Sequence, residues 1–266
     1  MSTGQAHQYI EGMAPWAGDT DVGGVILLRG LEMMERIEEG RVMAEAGTKR
    51  TRILIVEDEG LFRGLLEQVL AAEPLLDVVG SAADGETAIR LAEALRPDVV
   101  LMDIELAGPI DGIKAAEHIK RERPETGIVI LSAHKEKQYI ASLPLGRTPG
   151  WSYLLKQSVG DINTLVRAIH GSASGLMVLD PGVVAGLRPR EGTRVARLTP
   201  RQQEVLKLMA QGYNNATIAE RLHLGEKSVE NYINAVYQEL QLTAEERIHP
   251  RVKASLIYLE ESQSKS

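Results

Sequence analysis

The residues of this chain best placed to do chemistry stand at the ends of short apolar runs. Asp103 closes the run DVVLMD, and Glu57-Asp58 close the run RILIVED. Each run is short, rich in β-branched residues and bounded by polar ones, the pattern of a strand buried on both faces. If the two strands lie in one sheet and point the same way, three carboxylates converge at its C-terminal edge. Open α/β sheets bind their ligands at that edge. Three clustered carboxylates repel one another unless a cation sits among them, and an all-oxygen set suits Mg²⁺.

The elements that must position these residues are legible around them. Residues 51–170 alternate strand and helix signals five times. Strands are expected at Arg52–Val56, Leu76–Gly80, Asp98–Asp103, Gly127–Ser132 and Ser152–Leu155. Helices are expected at about Gly60–Ala72, Asp84–Leu95, Gly112–Arg123, Lys135–Ser142 and Asp161–His170. This alternation predicts an α/β domain: a five-stranded, doubly wound parallel sheet of flavodoxin-like type, with right-handed crossovers and helices on both faces. Residues 171–197 are rich in Gly, Pro and Arg and read as a linker, with Arg188, Arg190, Arg194 and Arg197 set against Asp180 and Glu191. From Leu198 the strand signal disappears, and residues 198–266 read as a small all-α domain. Its helices are expected at about 200–211, 215–222, 226–240 and 250–261. Thr199-Pro200 supplies an N-cap and a first-turn proline, Asn214 or Asn215 can cap the second helix, and His249-Pro250 can start the fourth.

Residues 1–50 read as an N-terminal extension, expected to be poorly ordered over the polar Met1–Thr20 and helical over 22–46. Ile26, Gly30, Met33, Ile37, Gly40 and Ala44 make a heptad-like stripe there, weakened by its glycines. The plain expectation is a helix docked on the next domain or a leader, the sharper one a dimerising helix. Met33, Met34 and Met43 are alternative starts.

Bulk composition excludes several classes. The 266 residues suffice for two ordinary domains, and 44% hydrophobic with 25% charged residues describes a globular chain. There is no cysteine, hence neither disulfide nor thiolate metal site. No apolar run approaches a membrane span and no secretion signal is visible, so a cytoplasmic location is expected. The net charge of −7 gives no global sign of nucleic-acid binding.

RILIVEDE, DVVLMDI, IVILSA and YLLK, in that order, resemble the receiver domain of bacterial response regulators over residues 51–170. The resemblance implies a set of roles. Asp103 accepts a phosphoryl group from a histidine kinase. Glu57, Asp58, Asp103 and the Glu105 backbone carbonyl hold Mg²⁺, which offsets repulsion between carboxylate and phosphoryl donor. Lys156 and the Ser132 hydroxyl contact the phosphoryl oxygens, and Tyr153 stands where the family carries an aromatic switch. The chain departs from the family in two places. The turn Glu105–Gly112 is one residue longer, and the stretch 134–151 carries Pro144, Pro149 and Gly150 where a fourth helix is usual. An independent enzyme is not expected, since such a site needs only self-phosphorylation and self-hydrolysis.

The run LTPRQQEVLKLMAQGYNNATIAERLHLGEKSVENYINAVYQEL resembles the LuxR-type helix-turn-helix. Together the two resemblances imply a response regulator of the NarL/FixJ class, a two-component phosphoprotein that regulates transcription. Val205, Leu206, Ile218, Ala219, Leu222, Leu224, Val229, Ile233, Val236 and Leu240 are the expected small core. Lys227, Ser228, Glu230, Asn231 and Asn234 of the recognition helix are expected to face the major groove of promoter DNA. Val252, Leu256 and Leu259 are expected to mediate dimerisation, giving a homodimer on two half-sites. One count opposes strong DNA binding: residues 198–266 hold eight Lys/Arg against nine Glu. The linker arginines could compensate. A second reading therefore stays open, a phosphorylation-switched adaptor whose helical bundle binds protein.

Overall fold

The computed structural model describes residues 49–133, 149–242 and 249–264. The helices expected over 22–46 and Lys135–Ser142, and most of the irregular stretch 134–151, lie outside them. Five strands form one parallel sheet: β1 (Thr51–Val56), β2 (Leu76–Ala82), β3 (Val99–Asp103), β4 (Gly127–Ser132) and β5 (Trp151–Leu155). Their order is β2-β1-β3-β4-β5, the doubly wound arrangement expected from the alternation. Register pairs Val56 with Met102, Asp103 with Leu131 and Ser132 with Leu155, which lines up the C-terminal ends of four strands.

The central strands are apolar on both sides because helices cover both faces. Val100, Met102, Ile128 and Ile130 pack with Ala88 and Ala92 of α2 (Gly85–Leu95) and Ala115 and Ala116 of α3 (Gly112–Glu122). Their strand neighbours Val99, Leu101, Val129 and Leu131 face the other way. They pack with Leu66 and Leu70 of α1 (Gly60–Ala71) and Leu165, Ala168 and Ile169 of α4 (Ile162–Ala173). Asp84 caps α2 through the Thr87 amide, and Asp111 caps α3 through the Lys114 amide.

The stretch expected to be a plain linker has structure of its own. It holds α5 (Pro181–Ala185), β6 (Leu187–Pro189) and α6 (Arg194–Arg197), and buries Met177, Leu179, Val183, Val184, Leu187 and Val195. Asp180-Pro181 has the same cap-and-proline signature as Thr199-Pro200, and Asp180 accepts from the amides of Gly182 and Val183. The helical bundle follows: α7 (Pro200–Ala210), α8 (Asn215–Leu222), α9 (Glu226–Glu239) and α10 (Pro250–Glu261), with a terminal β7 (Ser262–Ser264) antiparallel to β6. Thr199 and Gln202 form a capping box, Asn214 caps α8, and His249 caps α10. Most of the expected bundle core is buried, Leu222 and Leu224 packing half-buried against it.

Candidate functional site

At the C-terminal edge of the sheet Glu57 follows β1, Asp103 ends β3, Ser132 ends β4 and Lys156 follows β5. Glu57, Asp103 and Ser132 are buried, while Asp58 is exposed. One oxygen each from Glu57, Asp58 and Asp103 lie within 4.8 Å of one another. Lys156 Nζ stands 2.9 Å from Asp103 Oδ2 and 2.9 Å from the Glu57 carboxylate. Its stem lies near Phe62, with Nζ 5.3 Å from the ring centre. Arg63, in the first turn of α1, donates to the Glu57 carbonyl at 2.6 Å.

The electrostatics follow from crowding. Burial pushes the Glu57 carboxyl above its ordinary value and the Asp103 charge adds to this, while the hydrogen bond from Lys156 pulls the other way. Burial also works against the Lys156 charge, but its bonds to Glu57 and Asp103 outweigh that and hold the amine above the usual lysine value. Lys156 thus pairs with two of the three carboxylates, Glu57 and Asp103. Glu57 Oε2 is buried and makes no well-angled hydrogen bond. That oxygen lies 2.9 Å from Lys156 Nζ, and the converging oxygens of Glu57, Asp58 and Asp103 form a donor set that fits a small hard cation such as Mg²⁺.

Backbone geometry explains how Asp103 is held. Glu105 N donates to Asp103 Oδ1 at 3.3 Å, so the long turn folds back onto the acid. At the end of that turn Gly112 lies flat against β3: a Cβ there would stand 1.7 Å from the Asp103 carbonyl oxygen. The lengthened turn therefore still ends in Asp111-Gly112, the cap and the only residue type that fits. Tyr153 is fully buried, in the cluster that also holds Leu179 and Val183. No outward position of its ring is seen.

On the bundle, Lys227, Asn231 and Asn234 are exposed at spacings of four and three, hence on one face of α9. Ser228 and Glu230 are half-buried, and Glu230 pairs with Lys227 at 2.8 Å. Two of the linker arginines are engaged elsewhere. Arg197 pairs with Glu239 at 2.9 Å and Arg194 with Glu261 at 2.6 Å, both far from the first turns of α9. Val252, Leu256 and Leu259 are not on the surface. They are 3%, 7% and 4% exposed, inside an unbroken buried run over residues 254–259 for the last two. In this conformation α6, β6 and α7 cover α10 within the chain. Glu261 anchors that cover, accepting from Arg194 and from the Val195 amide at 3.0 Å.

Sequence reasoning missed a second group of residues, where sheet and bundle meet. Val178 O accepts from Tyr153 N, Asp180 N donates to Tyr153 O, and Asp180 Oδ2 accepts from Leu155 N at 3.1 Å. Leu179 N turns the other way and donates to Ala210 O at 2.8 Å. Arg167 of α4 donates to Gln211 O at 2.8 Å and lies 4.2 Å from the Tyr213 ring centre, with Arg221 at 4.1 Å. The Asp180-Pro181 cap signature was the one available signal.

Comparison with known proteins finds relatives of both parts of the chain. Residues 53–170 match the model of the response regulator receiver domain, and residues 196–248 that of the bacterial regulatory proteins of the luxR family. The nitrate/nitrite response regulator protein NarL of Escherichia coli is 33% identical over 198 residues, 71% of this chain and 89% of that protein. The transcriptional regulatory protein DegU of Brevibacillus brevis is 29% identical over 231 residues, 79% of this chain and 92% of that protein. Among solved structures, the receiver domain of a NarL from Mycobacterium tuberculosis is 30% identical, covers 48% of this chain and 98% of its own, and superposes with a TM-score of 0.43.

Proposed function

Because the chain belongs to the response regulators that join a receiver domain to a LuxR-type DNA-binding domain, we propose that Asp103 is its phosphoryl acceptor and that a histidine kinase is its donor. The convergence of Asp103 with Glu57, Asp58 and Lys156 at one sheet edge carries this reading. An Asp103 carboxylate oxygen attacks phosphorus, the donor's bond to phosphorus breaks, and an acyl phosphate forms; water later cleaves it and restores the carboxylate. Lys156 is already within hydrogen-bond reach of Asp103 and shifts to the transferred oxygens. The Ser132 hydroxyl, one register step along the same edge, donates to them as well. Glu57, Asp58, Asp103 and the Glu105 carbonyl would hold Mg²⁺, which supplies charge neutralisation.

Phosphorylation then favours a homodimer in the cytoplasm that binds promoter half-sites through the face of α9 bearing Lys227, Asn231 and Asn234, with Ser228 and Glu230 at its margin. Incubating the full chain with Mg²⁺ and acetyl phosphate should add one phosphoryl group and strengthen retention on DNA. Asp103→Asn should show neither change; a variant that still gained the group would remove Asp103 from the role. The pairing of Lys227, Arg194, Arg197 and Arg201 with glutamates supports the second reading, an adaptor that binds protein. Salt-dependent retention on DNA separates the two readings, since an adaptor shows none.

A further inference from the structure

The segment Val178–Asp180 is extended, and its two edges serve different partners. One edge continues the sheet. The main chain of Val178 and Asp180 brackets Tyr153 in a parallel bridge, at 2.9 and 2.8 Å, and the Asp180 carboxylate takes the Leu155 amide. The Ser152 hydroxyl adds a fourth bond, accepting from Val178 N at 3.0 Å. The other edge presents Leu179 N to Ala210 O, a carbonyl that the end of α7 leaves without a helical partner. Gly212 comes so close that a Cβ would stand 2.6 Å from Val178 Cγ2. Both ends of this strap matter. Lys156, next after β5, touches Asp103 directly, while α7 is the first helix of the bundle. Asp180 is fully buried and its carboxylate accepts from the Leu155 and Gly182 amides, so its position is determined by these neighbours.

We propose that Val178–Asp180 is the mechanical relay between the Asp103 site and the DNA-binding bundle, with Asp180 as its positioning residue; this rests on Asp103 being the phosphoryl acceptor. When Lys156 leaves the carboxylates of Glu57 and Asp103, the end of β5 shifts, the bonds around Tyr153 and Leu155 loosen, and Leu179 releases Ala210. The bundle gains freedom to dock on DNA. The relay needs no surface formed by residues 134–148. It uses a chain of hydrogen bonds with two arrangements, the kind of element that can carry coupling between sites.

The test is amide hydrogen exchange on the full chain, with and without Mg²⁺ and beryllofluoride, a stand-in for the phosphoryl group. Amides of Tyr153, Leu155, Leu179 and Asp180 should exchange about tenfold faster when it binds, an effect within the usual range of coupling. If segments around Asp103 and Ser132 respond while these four amides do not, the relay is overturned and the Asp103 reading stands. If Asp103 and Ser132 are silent too, both fall. In a second arm, Asp180→Asn should raise DNA retention without beryllofluoride and cut the stimulated-to-basal ratio by about fivefold. A folded Asp180→Asn protein with an unchanged ratio overturns the relay.

Discussion

Gly112 shows how much of this site is decided by single atoms. Its first-turn position on α3 presses against the Asp103 carbonyl, leaving 1.7 Å for an added Cβ. Gly112→Ala must move either α3 or the acid, so it should cost about 3 kcal/mol of stability and slow phosphorylation from acetyl phosphate. Urea unfolding and phosphate incorporation check the two effects, and wild-type values for both would refute the close approach. Lys120 on the same helix is a different case. It is 4% exposed, and burial lowers its amine to about 8 from 10.5, opposed only in part by Glu125. Between those two values the unfolded chain holds a proton that the folded chain has released. Stability therefore rises with pH across that window. Relative to Lys120→Met, the wild type should gain up to about 3 kcal/mol between pH 7 and pH 10.5, read from urea midpoints. A constant difference would mean that the amine is not perturbed.

At the scale of elements, α9 and α10 show how far a local pattern specifies a role. Lys227, Asn231 and Asn234 form an exposed stripe on α9, and its one lysine is paired with Glu230 at 2.8 Å. Lys227 is exposed and Glu230 only half-buried, so the pair is well solvated, adds little stability and chiefly cancels charge toward DNA. Glu230→Gln should tighten DNA binding about threefold and steepen the dependence of log K on log salt by about one. An unchanged slope would mean that Lys227 meets no phosphate. The strands and capped helices were readable because periodicity and cap chemistry are local. The expected first strand begins at Arg52 and the observed one at Thr51, and α8 and α10 agree with expectation at both ends. The role of α10 was not readable. Its apolar side marks it for burial, and nothing local says whether a second copy or the chain's own linker does the burying.

Across the whole molecule, linker and bundle close over α10. Glu261 is the clasp, taking Arg194 at 2.6 Å and the Val195 amide at 3.0 Å, while its own carbonyl accepts from Arg190 N at 2.9 Å. Glu261→Ala should free the linker and expose Val252, Leu256 and Leu259. At matched concentration the variant should then contain more dimer than the parent by light scattering. Identical masses would show that this cover does not control association. The cluster that holds Tyr153 runs on through Leu179 and Val195 to Leu259, so the sheet layer and the bundle share buried surface.

The sequence by itself determined the strands, their parallel sheet and the acidic edge, because two-sided burial writes continuous apolar runs and a parallel sheet brings their ends together. It also determined the caps of α7, α8 and α10, each set by a side chain within three residues. Only the tertiary structure decided that Val178–Asp180 joins β5 to α7 and that the linker covers α10. Those bonds are made by main-chain groups, which every residue carries, and by carboxylates whose partners lie far away in the chain. Asp180 and Glu261 look like ordinary acids in the sequence; the fold makes one a strap and the other a clasp.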